Sequence, residues 1–247
     1  MKTHQRVWLS CGLLVLMLPL YAGCSSAVFG GISPVPAKFE NPEALTLQNR
    51  PVVAEATMSP GAGVNHVSGA MNVGKFNEKE LEVLRQSLVD SFAGLSAPAG
   101  AAPVEVHLHV DRYFSSFSNY EGSILVTVDW CAVRDGQLVA DELIYASIYR
   151  NSAGGPFATL GGTKDAVNAA FIRHIAQRTL AACGDTTPRE PVPHVYPTVE
   201  EAVAEFPDKT KSFYLGPLIS RQRENAAKQE TAAEKIDWAA RLGLTKT

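Results

Sequence analysis

The middle of the chain restricts the possible folds most, because two stretches there, residues 104–111 and 124–131, alternate apolar and polar side chains. Alternation at a period of two is typical of β-strands with one buried face. A third stretch, residues 138–150, is expected to return as a long strand with Tyr145 and Tyr149. Asp135-Gly136 lies between the last two and favours a two-residue hairpin turn. We therefore predict an antiparallel meander of three strands.

Two amphipathic helices are predicted on either side of this meander. Asn77 and Glu80 stand at capping-box separation before a helix whose apolar residues recur every three or four positions. The second helix is predicted at residues 163–183, with Gly184 at its C-cap. A first strand is expected at residues 51–58, before a glycine-rich loop. The apolar stripe of each helix and the apolar face of the sheet are expected to pack together, because each buries the other. The order β-α-β-β-β-α therefore predicts an α+β two-layer sandwich, a mostly antiparallel sheet with two helices on one face.

The composition changes after Gly184. Residues 185–197 are rich in proline and are predicted to be a linker, and residues 198–247 to be a helical C-terminal arm. The arm is either a packed extension of the domain, burying Phe213, Tyr214 and Trp238, or a partner-binding element. Its stretch 209–216 mixes aromatic and basic side chains, which interfaces favour. The candidate partner-binding residues are Lys209, Lys211, Phe213 and Tyr214.

The N-terminus has the features of an export signal. Lys2 and Arg6 precede an apolar run that closes on the small residues Ala22 and Gly23. The run from Val7 to Ala22 has 16 residues, whereas a membrane span needs about 20. We therefore predict that residues 1–23 are a signal peptide.

The sequence Leu20-Tyr21-Ala22-Gly23-Cys24 resembles the lipobox of bacterial lipoproteins, with Tyr21 at the place where the family usually has Leu. The resemblance implies cleavage before Cys24 and a diacylglycerol on its sulfur, so that acyl chains anchor the protein. Ser25 is similar to the class sorted to the outer membrane, which implies a periplasm-facing anchor there. A plain signal cut near Cys24 and an uncleaved anchor are the alternatives. Residues 24–50 are then a lipidated N-terminus and tether, followed by an α+β domain at 51–184.

The charge balance argues against nucleic acid as a partner. The chain has 22 basic and 25 acidic side chains, and the loss of Lys2 and Arg6 with the signal leaves a net charge of −5. An acidic balance also argues against a polybasic membrane patch. The remaining length suits one domain with tails.

Two cysteines remain after processing, because Cys11 leaves with the signal and Cys24 takes the lipid. Cys131 and Cys183 could form a disulfide in an oxidising compartment. Strand alternation works against the bond, since Cys131 and Trp130 lie on opposite faces of their strand. The helix that ends at Cys183 is expected to pack on the face of Trp130. A bulge would reverse that parity, so a disulfide and two separate buried thiols both stay open.

His107, His109 and Asp111 form the nearest approach to a metal site, because alternate residues of a strand share one face and imidazole suits zinc or copper. The simpler alternative is the polar side of a half-exposed strand, which Glu105 continues. No Cys or His cluster completes a site, and no GxSxG, HExxH or SxxK motif is present. We predict no cofactor, no metal and no enzyme. A metal-binding protein or hydrolase that uses these three residues is the alternative.

The element order of residues 51–184 behind a lipobox is similar to several families of small bacterial envelope lipoproteins. These are the YajG-type, the ABC-transporter auxiliary type and the LptE-type lipoproteins. The resemblance lies in a strand-rich centre, ILVTVDWCAVRDGQLV, followed by the helix DAVNAAFIRHIAQRTL. It implies a non-enzymatic role, in which the protein binds or stabilises an envelope protein as an accessory of transport or assembly.

Overall fold

The computed structural model describes residues 32–67, 74–117, 121–151, 156–211 and 235–244. The strands within these ranges are β1 (Arg50–Met58), β2 (Gly63–Val67), β3 (Pro103–Phe117), β4 (Glu121–Arg134), β5 (Gln137–Asn151) and β6 (Val195–Tyr196). The helices are α1 (Glu78–Phe92), α2 (Pro156–Ala182), α3 (Val199–Ala202) and α4 (Trp238–Leu242), with a 3-10 turn at Pro42–Ala44. The α+β class is confirmed.

One sheet contains all six of these strands, in the order β1-β3-β4-β5-β6, with β2 beside the second half of β3. The meander β3-β4-β5 is antiparallel, as predicted. Asp135 and Gly136 have φ angles of 52° and 71°, the left-handed values that a tight hairpin between twisted strands requires. β1 and β2 both pair with β3 in parallel, so the sheet is mixed but mostly antiparallel.

β2 lies in the stretch predicted to be a glycine-rich loop. Gly63 begins it, and a Cβ at this position would stand 2.2 Å from the carbonyl oxygen of Phe76. The strand therefore depends on a close backbone approach that only glycine permits.

Helices α1 and α2 pack on one face of the sheet. The predicted capping box begins α1: the Asn77 side chain accepts from the Lys79 N–H at 2.9 Å, and the Glu80 carboxylate accepts from the Asn77 N–H at 3.1 Å. α2 begins seven residues before the predicted start. The main core lies between these helices and the sheet, and its largest members include Leu84, Leu88, Trp130, Phe171 and Ile172.

Residues 32–49, which we call the strap, pack along both helices, although the sequence predicted that they belong to a tether. The Val35 N–H donates to Ser87 Oγ at 3.0 Å and the Ala37 N–H to Ser91 Oγ at 2.8 Å. The N–H groups of Gln48 and Asn49 donate to the Cys183 carbonyl at 2.9 and 3.0 Å. Ile32 and Leu47 are buried in the main core. The strap is therefore part of the folded domain.

The sandwich has two distinct ends. At the upper end, α1 and α2 begin and β3 turns into β4; at the lower end, both helices finish and the β4–β5 hairpin lies. The strap runs from the upper part of the helices to their lower ends, because Ser33 contacts Asp165 whereas Gln48 contacts Cys183.

The second face of the sheet, opposite α1 and α2, is covered by residues from the C-terminal arm. β6 lies within the predicted linker and pairs with β5. Val199, Val203 and Phe206 then pack on Phe114 and Leu125. The central strand β4 is consequently buried on both faces. The first part of the arm is a packed extension, one of the two alternatives that the sequence left open. Of the predicted helical arm, residues 198–211 and 235–244 are described, and the second range contains the short helix α4.

Cys131 and Cys183 are both free and buried, which is one of the two alternatives that the sequence left open. Cys183 belongs to the main core, whereas Cys131 packs with Val133 and Trp238 on the second face. Strand parity therefore separates the two residues by the thickness of the sheet. Burial raises the pKa of each thiol to about 12, which leaves both unreactive at neutral pH.

Candidate functional site

Polar side chains cluster on the second face where β1, β3 and β4 lie side by side. The sequence predicted a half-exposed polar surface here. In the structure, residues 235–244, which we call the clasp, cross this surface and cover it. Asp129 on β4 is fully buried as a result, and the Trp238 indole above it is 1 % exposed.

Asp129 fixes the clasp by two hydrogen bonds. Its carboxylate accepts from the Ile236 N–H at 2.7 Å and from the Trp238 indole N–H at 2.9 Å. Burial raises the pKa of this carboxyl, and the two donated hydrogen bonds and Lys235 offset part of that effect. A buried carboxylate with both oxygens occupied by one chain segment is a strong positional restraint on that segment.

Basic residues of the clasp meet acidic residues of the sheet around this centre. Lys235 Nζ lies 2.7 Å from Asp141 Oδ2. Arg241 donates to Thr57 Oγ1 at 3.0 Å, stands 4.0 Å from a Glu55 oxygen and lies 5.1 Å from the centre of the Trp238 ring. The clasp is therefore matched to the sheet in charge as well as in shape.

His107, His109 and Asp111 share the second face, as the strand alternation predicted, but their polar groups do not converge. His109 Nδ1 is hydrogen-bonded to Thr57 Oγ1 at 2.9 Å and its Nε2 to Ser59 Oγ at 3.0 Å, while Ser59 donates to Asp111 at 3.0 Å. Burial lowers the pKa of His109, and Arg241 lowers it further. Among the described residues, no three His, Cys, Asp or Glu side chains are placed to hold a metal ion.

His107 lies beneath the clasp, with its ring centroid 6.2 Å from that of Trp238. Its Nδ1 and Nε2 are 3.6 Å from Glu55 and 3.8 Å from Glu105, on opposite sides of the ring. A recess of about 390 Å³ opens beside it at the lower end, and Glu105, Asp135, Leu242 and Leu244 are among its lining residues. The recess combines two acidic groups with an apolar wall.

A second recess, of about 460 Å³, lies at the lower end between the strap and the chain that follows α2. The Arg189 guanidinium stands over the Phe39 ring at 5.7 Å and is ion-paired with Asp185. Lys38 and Arg173 add two further cationic groups to its wall. Both recesses are thus at the same end of the sandwich.

A buried ion pair lies at the opposite, upper end, between α1 and α2. Lys164 Nζ stands 3.9 Å from Glu80 Oε1, and the two residues are 3 % and 7 % exposed. Burial lowers the pKa of Lys164 and raises that of Glu80. Nearby, Tyr113 donates to the Asn168 side-chain oxygen at 3.2 Å. The pair thus links the first turn of α1 to α2 through two desolvated charges.

The predicted partner-binding residues are only partly described. Lys209 is exposed, and the Lys211 ammonium lies 3.9 Å from Asp208. Phe213 and Tyr214 lie outside the described residues, as do the predicted signal peptide and the lipidation candidate Cys24. Sequence reasoning missed Asp129, although an acid inside the apolar run VTVDWCAV indicates a buried carboxylate with a fixed partner.

Comparisons with known proteins identify no family. No family model matches the chain, and no curated protein matches it. The similar solved structures include a Xanthomonas campestris protein of the DUF330 family, at 12 % identity and a TM-score of 0.44, and a candidate lipoprotein from Caulobacter crescentus, at 17 % identity and a TM-score of 0.33. The matches cover 62 % and 51 % of this chain, and 94 % and 93 % of the other chains. At these TM-scores the two structures do not assign a function.

Across the described ranges, no helix combines the length and apolar character that a membrane crossing requires.

Proposed function

We propose that this chain is a lipid-anchored protein of the bacterial cell envelope, at the periplasmic side of the outer membrane, and that it binds a partner protein rather than catalysing a reaction. The observation that carries the proposal is the position of the folded domain relative to Cys24. Ile32, only eight residues after Cys24, is already buried in the core. A lipid on that cysteine would therefore hold the whole domain close to a membrane surface.

The environment of the polar residues supports binding over catalysis. A catalytic acid or base needs a polar atom directed at a substrate. Both ring nitrogens of His109 are hydrogen-bonded to hydroxyl groups within the domain, and both carboxylate oxygens of Asp129 are occupied by the clasp. These groups stabilise the fold and place the C-terminal arm.

The arm is the element that we assign to the partner. Its residues up to Phe206 dock on β5 and the second face, and the clasp docks again at Asp129. The 23 residues 212–234 thus connect two docked points. A partner held by Lys209, Lys211, Phe213 and Tyr214 would therefore be connected to the domain through both docked points of the arm.

Replacement of Cys24 by Ser is expected to abolish lipidation, because only the thiol can accept the diacylglycerol. Several acyl chains, at about 0.8 kcal/mol per buried methylene, make attachment effectively permanent, so the variant should leave the membrane fraction. The measurement is incorporation of a labelled fatty acid, combined with fractionation of inner and outer membranes. Cys11→Ser is the matched control, because that residue lies in the signal and its loss should change nothing. Undiminished labelling of Cys24→Ser would refute the anchor.

Reversal of charge at Lys209 and Lys211 is expected to weaken partner capture. The double variant Lys209→Glu/Lys211→Glu replaces two cations with two anions at the border of the assigned surface, and like-charge contact at an interface costs several kcal/mol. The measurement is crosslinking in detergent-solubilised envelopes, with mass spectrometry of the captured protein and its yield relative to the wild type.

The pair Lys75→Glu/Lys79→Glu provides the control for this experiment, because both lysines are exposed near the upper end, away from the arm. Equal yields for both double variants and the wild type would show that the partner does not use this part of the arm. Equal losses would indicate a non-specific effect of net charge.

A further inference from the structure

We infer that the strap sets the orientation of the domain on the membrane, so that the upper end faces a lipid surface and the lower end faces away from it. The inference rests on the proposed lipid at Cys24. It adds that the domain is held near the bilayer with one defined end, the upper end, facing the lipid. The tether predicted to extend to residue 50 would have given no preferred orientation.

The direction in which the strap travels is the first argument. Ser33 N–H lies 3.4 Å from Asp165 Oδ1 in the upper half of α2, and the strap reaches Cys183 at the lower end of that helix. Asp165 and Cys183 are 18 residues apart in sequence, a separation of about 27 Å along a helix. At Ile32, its first described residue, the chain is therefore directed at the upper end.

The remaining length of chain is the second argument. The eight residues from Cys24 to Ile32 can span at most about 28 Å when fully extended. A flexible chain of that length spans less on average, about 16 Å. The distance from Ile32 to the lower end of the domain is about equal to the fully extended length of residues 24–32. The lower end could therefore contact the bilayer only if these residues ran fully extended back along the domain.

The inferred orientation determines which side of the membrane-bound domain the two recesses face. Both lie at the lower end, one beside His107 and one between Phe39 and Arg189. They would then open into the aqueous phase, where a soluble partner or a protein reaching across from the opposite membrane could approach them. The upper end, with the buried Glu80–Lys164 pair, would be the end that a lipid surface shields.

Energy transfer from two labelled positions to the membrane tests the inference. Lys79→Cys places a fluorophore at the upper end and Ala99→Cys places it near the lower end, and both positions are exposed. α1 lies between them and is about 22 Å long. Cys131 and Cys183 are fully buried with pKa values raised to about 12, so the native protein should be labelled at the introduced thiol alone.

The lipidated protein is reconstituted in phosphatidylethanolamine–phosphatidylglycerol vesicles that carry an acceptor on the headgroup. We expect higher transfer efficiency from the label at residue 79 than from the label at residue 99. An insertion of about 20 Gly and Ser residues after Ser26, with an average span of about 25 Å, should lower the transfer from residue 79 and remove most of the difference.

The possible outcomes separate the orientation from the anchor. Equal transfer from the two positions, or higher transfer from residue 99, would overturn the orientation while the anchor remained. Protein that does not float with the vesicles, and whose mass shows no acyl chains, would instead refute the proposed function. A difference that persists unchanged after the insertion would show that the strap is not its cause.

Discussion

A chain that ends at Gly184 is expected to lose its cooperative thermal unfolding and to aggregate. The truncation removes the cover of the second face, including the buried side chains of Val199, Val203, Phe206 and Trp238. Each contributes about 1.5–3 kcal/mol on burial, and their sum is comparable to the entire free energy of unfolding of a domain, about 5–15 kcal/mol. Asp129 would also lose both of its hydrogen-bond donors. The measurement is a thermal melt followed by circular dichroism, with light scattering for aggregation.

Two further truncations make this experiment selective. A chain that ends at Lys211 keeps α3 and Phe206 but lacks the clasp, so its midpoint of unfolding should lie between those of the wild type and the shortest chain. A chain that ends at Leu244 removes only three residues and should melt like the wild type. A cooperative melt at the wild-type midpoint for the chain ending at Gly184 would show that the arm is independent of the domain.

Replacement of Lys164 by Met is expected to lower the free energy of unfolding by about 3–5 kcal/mol near neutral pH, because it leaves the Glu80 carboxylate buried without a counter-ion. The loss should depend on pH. Burial already places the pKa of Glu80 above its unfolded value, so this carboxyl favours folding most below its unfolded pKa, and the benefit disappears as pH rises through the folded pKa. Urea denaturation at about pH 8 and about pH 5 should therefore show the larger deficit at pH 8.

The double variant Lys164→Met/Glu80→Gln is the compensating control. Gln keeps the acceptor that the capping box needs at this position, and the pair no longer contains a charge. Its stability should return close to the wild type at both pH values. A single variant that loses less than about 1 kcal/mol, or that loses the same amount at both pH values, would show that the ion pair is not desolvated as described.

Local signals in the sequence were sufficient for most of the architecture. The capping residues Asn77 and Glu80 mark the start of α1, and Asp135-Gly136 marks the hairpin turn. Both signals are visible in the sequence because each involves residues only a few positions apart. The alternation along β3 and β4 likewise identified both strands and the correct face for the main core. Parity along β4 also correctly indicated the obstacle to a bond between Cys131 and Cys183.

The sequence left the cover of the second face as one of two alternatives, because it depends on contacts between distant parts of the chain. Thr127 and Asp129 alternate with apolar residues as they would on a solvated face. Both residues are buried in the structure, and Ile236 and Trp238, which donate hydrogen bonds to Asp129, follow it by 107 and 109 residues. The course of the strap could not be predicted for the same reason, since nothing in the sequence marks Ser87 and Ser91 as acceptors for a segment about 50 residues earlier.

The strap also has a consequence for the order of events as the protein matures. Its contacts with α1 join residues 52 and 54 positions apart, and its contact with Asp165 joins residues 132 positions apart. Contacts of such separation form late, after the local elements exist. If the chain is exported as proposed, N-terminus first, Cys24 would emerge long before α2 is complete, and it would be open to a modifying enzyme while the strap is undocked. In the proposed lipoprotein, docking of the strap would then be the final step, and it would shorten the connection between the lipid and the domain.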